Sequence, residues 1–160
     1  MRKMCGKPVL DPCCGSRMFY FDKESPLVDF RDNRVLHKVL CDGRVLDVAP
    51  GMVGDVCSID APDGSYGLVV FDPPHLVCGN GWQVDKYGKL PKGWQIWMAK
   101  AFDECWRVLR PEGTLVFKWN EYHVPLKEVL ACFSQKPLLG NKKPVQSKTH
   151  WLVFYKAEKC

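Results

Sequence analysis

The chain's 160 residues, 46% hydrophobic and 26% charged, are enough for one globular domain spanning 1–160, and no apolar stretch approaches the ~20 residues of a membrane span. Met1-Arg2-Lys3 is basic but no apolar segment follows, and the nine cysteines are odd in number without paired Cys-x-x-Cys sets, so a signal peptide, a disulfide framework and a zinc site are not expected and a reducing cytoplasm is. The net charge of +5 mildly favours an anionic partner and falls far short of a basic nucleic-acid-binding tail.

Pro8-Val9-Leu10 reads as a first strand that stops in the tight loop Asp11-Pro12-Cys13-Cys14-Gly15-Ser16. Met18 to Phe21 is apolar and reads as one short helical turn. Val28 to Asp32 alternates and predicts a second strand. Between Lys38 and Val48, Asp42-Gly43 flanked by alternating apolar residues predicts a hairpin, followed by a strand or loop reaching Gly54-Asp55-Val56. After a turn at 62–65, Tyr66 to Phe71 predicts a buried strand, and a long Gly-rich loop then runs to Gly93. Trp94 to Leu109 carries Ile96, Trp97, Ala101, Cys105, Val108 and Leu109 at helical spacing, with Arg110 to Gly113 as its stop. A buried strand over Thr114 to Trp119, a short helix over Val124 to Phe133 and a final strand over Thr149 to Tyr155 complete the chain. That last strand is expected to pair antiparallel with a segment beginning near Ser134 to Leu138. The first half is short of helix.

The chemistry concentrates at Asp72-Pro73-Pro74-His75, directly behind the apolar run Leu68 to Phe71. Two prolines end the strand because neither can donate to a ladder and each fixes its own φ. Asp72 is thereby held at the carboxyl end of a central strand, where open α/β sheets place ligands. A carboxylate and an exposed backbone carbonyl are both acceptors, and an exocyclic NH2 offers two donors. The His75 ring can stack on the base that carries it, and it titrates near neutral pH, so activity is expected to fall as acid charges the ring.

The order Asp11-Pro12-x-x-Gly15-Ser16 and then Asp72-Pro73-Pro74-His75 resembles the S-adenosylmethionine-dependent amino-methyltransferases, whose motifs commonly read Asp-Pro-Phe-x-Gly-Ser-Gly and Asp-Pro-Pro-Tyr. The stretches Pro62 to Val70 and Phe102 to Trp119 resemble the same enzymes, so the likeness spans about Pro8 to Lys156. It implies an α/β fold with a Rossmann-like class I methyltransferase sheet, mostly parallel with an antiparallel C-terminal hairpin. It also implies methylation of a nucleobase exocyclic amine, adenine N6 favoured, in DNA or RNA. S-adenosyl-L-methionine would lie over Asp11, Pro12, Cys13, Gly15 and Ser16. Asp32, with Asp29 as the alternative, would accept from ribose hydroxyls. Asp55 would hold the adenine amine, and Val56 would pack on the ring. Three positions depart from the pattern: Arg17 for the last glycine, Cys13 for an aromatic, and His75 for tyrosine. With only seven residues ahead of the first strand, a contact to the methionine end would come from elsewhere, such as Phe19 or Phe21. Carbon-5 methyltransferases use a cysteine after proline, but Pro12-Cys13 stands in the wrong motif for that chemistry.

The resemblance assigns catalysis to Asp72, Pro73, Pro74 and His75 without a covalent intermediate. The substrate side falls on Trp82, Tyr87, Lys89 and Lys118, because aromatics interleaved with lysines suit bases and phosphates. Lys118 could equally pair with a carboxylate. Lys136, Lys142, Lys143 and Lys148 could extend a phosphate track or form a solvated tail. The length leaves no room for a target-recognition domain, so a partner subunit, a homodimer, a structured RNA or a short DNA site is expected. The alternatives are a non-catalytic module of the same fold and an enzyme acting on a small molecule or protein amide. A nicotinamide-dependent dehydrogenase is not expected, since no Gly-x-Gly-x-x-Gly follows the first strand.

Overall fold

The computed structural model describes residues 6–141 and 147–158. Met1-Arg2-Lys3, Lys142 and Lys143 lie outside them.

Nine strands and three helices follow one another along these residues: β1 (Val9–Asp11), β2 (Val28–Asp32), β3 (Leu36–Val39), β4 (Val45–Val48), β5 (Met52–Val53), β6 (Tyr66–Phe71), α1 (Trp82–Tyr87), α2 (Trp94–Val108), β7 (Leu109–Asn120), α3 (Leu126–Leu130), β8 (Leu139–Gly140) and β9 (Thr149–Tyr155). Seven strands form one sheet in the order β5-β2-β1-β6-β7-β9-β8, and β3–β4 is a separate hairpin. The first five strands of the sheet run parallel, and β9 pairs antiparallel with both β7 and β8. This is a mixed α/β fold with a mostly parallel sheet, an antiparallel C-terminal hairpin and few helices.

Helix α2 anchors one face of the sheet. Met98, Ala101, Phe102, Cys105 and Val108 stand at i, i+3, i+4, i+7 and i+10 on one face, and all are fully buried. They meet Leu10, Val69, Phe71, Leu115, Phe117 and Phe154 from alternate positions of the strands, and Val129 of α3 joins the same core. Phe102 stacks on Phe133 at 4.1 Å between ring centroids. Among the described residues, the opposite face has no long helix. There the loop 12–27 lies over Val9, Val28 and Phe30 through Cys14 and Tyr20.

Several sequence expectations need correction. Met18 to Phe21 forms turns rather than helix. The Gly-rich loop contains α1, a single short helix bounded by Gly81 and Gly88. Ile96 is 68% exposed, so it belongs to the solvent side of α2, and Met98 and Phe102 take the core positions. Arg110 to Gly113 does not separate α2 from the next strand. Leu109 turns extended at the helix end and β7 begins there, with Glu112 at φ 59. Gly113 is required at this junction, because a Cβ would approach the Arg110 carbonyl oxygen and Leu109 Cδ1 to 2.7 Å. The expected partner of β9 shrinks to Leu139–Gly140, and β7 supplies seven paired positions instead. The predicted hairpin forms around Asp42-Gly43, with Gly43 at φ 80.

Candidate active site

Chain order reverses between β1 and β6. From β1 the strands step outward to β2 and β5, then return to β6 and β7 on the other side. Such a switch point opens a crevice at the carboxyl ends of the strands. Asp11 ends β1, Asp32 ends β2, Asp72 follows β6, and Lys118 lies near the end of β7. The register sets Phe71 beside Phe117, so the next residues, Asp72 and Lys118, are neighbours on one face. Lys118 Nζ donates to both carboxylate oxygens of Asp72, at 3.0 and 3.1 Å.

One crevice is lined by Pro12 to Ser16, Phe19, Asp32, Arg34, Val56, Asp72 to His75, Tyr87, Trp97 and Lys118, among others. It gathers both motifs in one place. Its cavity volume is about 70 Å³, well below the 300–1,000 Å³ of ordinary ligand pockets.

Burial pushes Asp72 up, and Lys118 opposes that by charge and hydrogen bonding. About a fifth of each side chain still meets solvent, which moderates the effect. The Lys118 ammonium also lies 5.4 Å from the Phe19 ring centroid and 5.8 Å from that of Trp151. These two aromatic faces and one carboxylate surround the ammonium and fix its position. Of the two roles open to Lys118, pairing with a carboxylate is the one formed.

His75 sits 5.2 Å from the Tyr87 ring. Burial, with positive potential from Lys118 and His123, pushes its imidazole down to about 4. The expected loss of activity near neutral pH therefore moves to far lower pH. Gly88 lets the 72–93 segment close on the motif, since a Cβ there would come within 3.0 Å of Pro74 Cγ and its φ is 73°.

Asp11 is wholly buried, and Tyr20 Oη donates to it at 2.9 Å. Burial outweighs that bond and pushes its carboxyl up to about 8, with the nearby Asp72 and Asp32 adding to the rise. Asp11 is a buried acid beneath the crevice and stays out of its lining. Asp32 Oδ2 accepts from Gly15 N at 2.9 Å, and Oδ1 accepts from Arg34 N and Nε at 3.0 and 3.2 Å. Asp29 faces the other way. Burial would raise it, but bonds from Arg31 and Tyr66 overcome burial and hold it below the ordinary range. Between the two acids, only Asp32 belongs to the crevice.

Asp55 lies in a neighbouring pocket, where one oxygen accepts from Cys57 N at 2.9 Å, while Val56 reaches the crevice. Trp82 is exposed on α1, and Lys89 is exposed and bridges to Leu76, so neither lines the crevice. Phe19 lines it, whereas Phe21 is fully exposed. Cys13 lines it too, but burial, then Cys105 and the carboxylates, pushes its thiol well up, which is the reverse of an activated nucleophile. Lys136 and Lys148 are exposed, and Lys148 covers the Tyr122 ring at 4.5 Å.

Sequence reasoning missed Arg34, Tyr20, Trp97 and Trp151. Arg34 had a local signal, because an Asp commonly accepts from the backbone two residues on. Tyr20 comes from the loop just after the first motif but carries no local pattern, and Trp97 and Trp151 reach the site from distant segments.

No protein-family model matches the chain, and no curated protein matches it. A solved structure of a "possible exported protein" from Bordetella parapertussis is similar over 96% of this chain and 63% of its own length, with 12% identity and a TM-score of 0.40. At that similarity it carries no argument about fold or activity. Among the described residues, no helix is long and apolar enough to cross a membrane, and no group of three or more His, Cys, Asp or Glu could hold a metal ion.

Proposed function

We propose that this chain is a cytoplasmic S-adenosylmethionine-dependent N-methyltransferase acting on the exocyclic amine of a nucleobase, adenine N6 first, in DNA or RNA. The observation that carries the reading is the meeting of Asp72-Pro73-Pro74-His75 and the 12–16 loop in one crevice at the switch point. A mostly parallel sheet with an antiparallel C-terminal hairpin accords with it.

The residues present fit the cofactor chemically. Asp32 Oδ2 has given one acceptor position to Gly15 and keeps another for a hydroxyl. Val56 and Trp97 offer apolar walls, and nothing lies within 4 Å of a Cβ built on Gly15, so the loop stands open. Arg17 is turned away, with its guanidinium held by Glu24 and the Lys23 and Ala49 carbonyls. The crevice itself must widen, and the Gly-rich 72–93 segment is the wall with the hinges to allow it. When bound, S-adenosylmethionine supplies an electrophilic methyl group on a sulfonium.

The protein's part is placement. An aryl amine is a weak nucleophile because its lone pair is delocalised into the ring. Accepting its two N–H bonds at Asp72 and the Pro73 carbonyl localises that pair and aims it. Each Asp72 oxygen retains an acceptor position beyond the one given to Lys118, so the amine can be accepted beside the ammonium. Lys118 opposes the upward push of burial on the Asp72 carboxyl through its charge and its hydrogen bonds. The rings of His75 and Tyr87 form a wall on which a base can lie.

The test is transfer of labelled methyl from S-adenosylmethionine to DNA, RNA and protein pools, with the product nucleoside identified. Asp72→Ala is expected to lower the rate by about 10²–10³ while the fold is kept. A wild-type rate in that variant would sink the mechanism. The narrowness of the crevice favours a second reading, a non-catalytic module of the same fold. Calorimetry with S-adenosylmethionine separates the two, since a ligand of the native state raises apparent stability.

A further inference from the structure

A second groove of about 390 Å³ adjoins the crevice and shares Gly15, Ser16, Met18 and Lys86 with it. Its walls are the 15–24 loop and the β3–β4 hairpin. Arg17, at φ 55, ties the walls together by bonding Glu24 on the loop and the Ala49 carbonyl just after β4. The groove is cationic. It is lined by Arg17, Lys23, Arg44 and Lys86 against Glu24 and Asp47. Glu24 is already neutralised by Arg17, and Arg44 pairs with Asp42, which lies outside the lining. Lys23 and Lys86 have no ion-pair partner among the described residues. The hairpin is also held against the crevice wall, since Lys38 pairs with Asp85 of α1 at 2.6 Å and Arg34 donates to the Asp85 carbonyl at 3.0 Å.

We infer that this groove carries the phosphate backbone of a single-stranded nucleic acid whose target base enters the crevice beside Asp72. The inference rests on the methyltransferase reading and names where its polymeric substrate runs. Three features support it: continuity with the crevice, the excess of positive charge, and ammonium groups left for an outside anion. A hairpin inserted between β2 and β5 supplies the second wall.

The experiment measures fluorescence anisotropy of a labelled twelve-nucleotide single strand on the full chain across a salt series. Lys23→Glu/Arg44→Glu alters two exposed side chains outside the crevice, and its melting temperature is checked against wild type. Its affinity at low salt is expected to fall at least tenfold, and the slope of log K on log salt to shrink by about 1.4, which is two phosphate contacts at ~0.7 each. Lys23→Gln/Arg44→Gln should lose the same slope with a smaller loss of affinity. Methylation of a free nucleoside should be unchanged in both. An unchanged slope overturns the inference. So does an equal loss in the control Lys100→Glu/Lys127→Glu, on helices outside the groove, which would mark diffuse attraction. A lost slope in a protein that transfers no methyl group keeps the groove and removes the methyltransferase reading, so the two failures are distinguishable.

Discussion

The two halves of the sheet are built differently. Strands β6, β7 and β9 span 6, 12 and 7 residues, and their inner faces pack on α2. Strands β1, β2 and β5 span 3, 5 and 2, and the connections between them contain no helix. The second half therefore supplies the packed scaffold, and the first half supplies turns and carboxylates at the rim. Asp72 and Lys118 come from the rigid half, and the loop that would meet a cofactor comes from the other.

The largest effect should come from the packed half. Phe102 is fully buried and touches the rings of Trp106, Phe133 and Phe154. Phe102→Ala should cost about 3–5 kcal/mol in chemical denaturation. A loss below 1 kcal/mol would mean that the two halves share the load. Lys118→Met comes next. It leaves Asp72 without its counter-ion, so the carboxyl should hold its proton to higher pH. Turnover at pH 7 should fall and should recover in alkali, where the carboxyl loses its proton. A loss that is equal at every pH would assign Lys118 to packing alone.

Asp11 tests the rim. Its folded carboxyl keeps a proton up to about 8, while the unfolded carboxyl releases it near 3.9. The unfolded state thus binds fewer protons across that window, and stability falls as pH rises from about 4 to 8. Asp11→Asn should melt several degrees higher than wild type at pH 8 and close to it at pH 4. A constant difference would show that Asp11 is ionised in the fold. His75 has the opposite sign. With its folded pKa lowered to about 4, the unfolded state binds more protons below about 6.5, and stability falls as pH drops from there to 4. A direct role for the ring then predicts a rate that is flat between pH 6 and 8, and a His-dependent fall in that range, absent in His75→Phe, would overturn the assignment. The smallest effect belongs to Phe21, which is fully exposed; Phe21→Ser should change stability by no more than about 0.5 kcal/mol.

Most strands were legible because their signals are local. Val28 to Asp32 and Tyr66 to Phe71 are short apolar or alternating runs bounded by turn residues, and the structure places strands at both. Helix α2 was legible through its period, although Ile96 shows that the spacing does not choose which apolar residues face inward. Helix α1 was not legible, because six residues between two glycines are too few to display a period.

By itself the sequence determined where the chain stops and turns, and hence which acids stand at strand ends, since proline and glycine constrain the backbone through their own covalent geometry. Only the tertiary structure decided what those acids meet. Whether Asp72 pairs with Lys118, Asp11 keeps a proton under Tyr20, or Asp32 rather than Asp29 turns to the crevice depends on strand order and burial. Those follow from contacts between residues far apart in the chain, which no local pattern encodes.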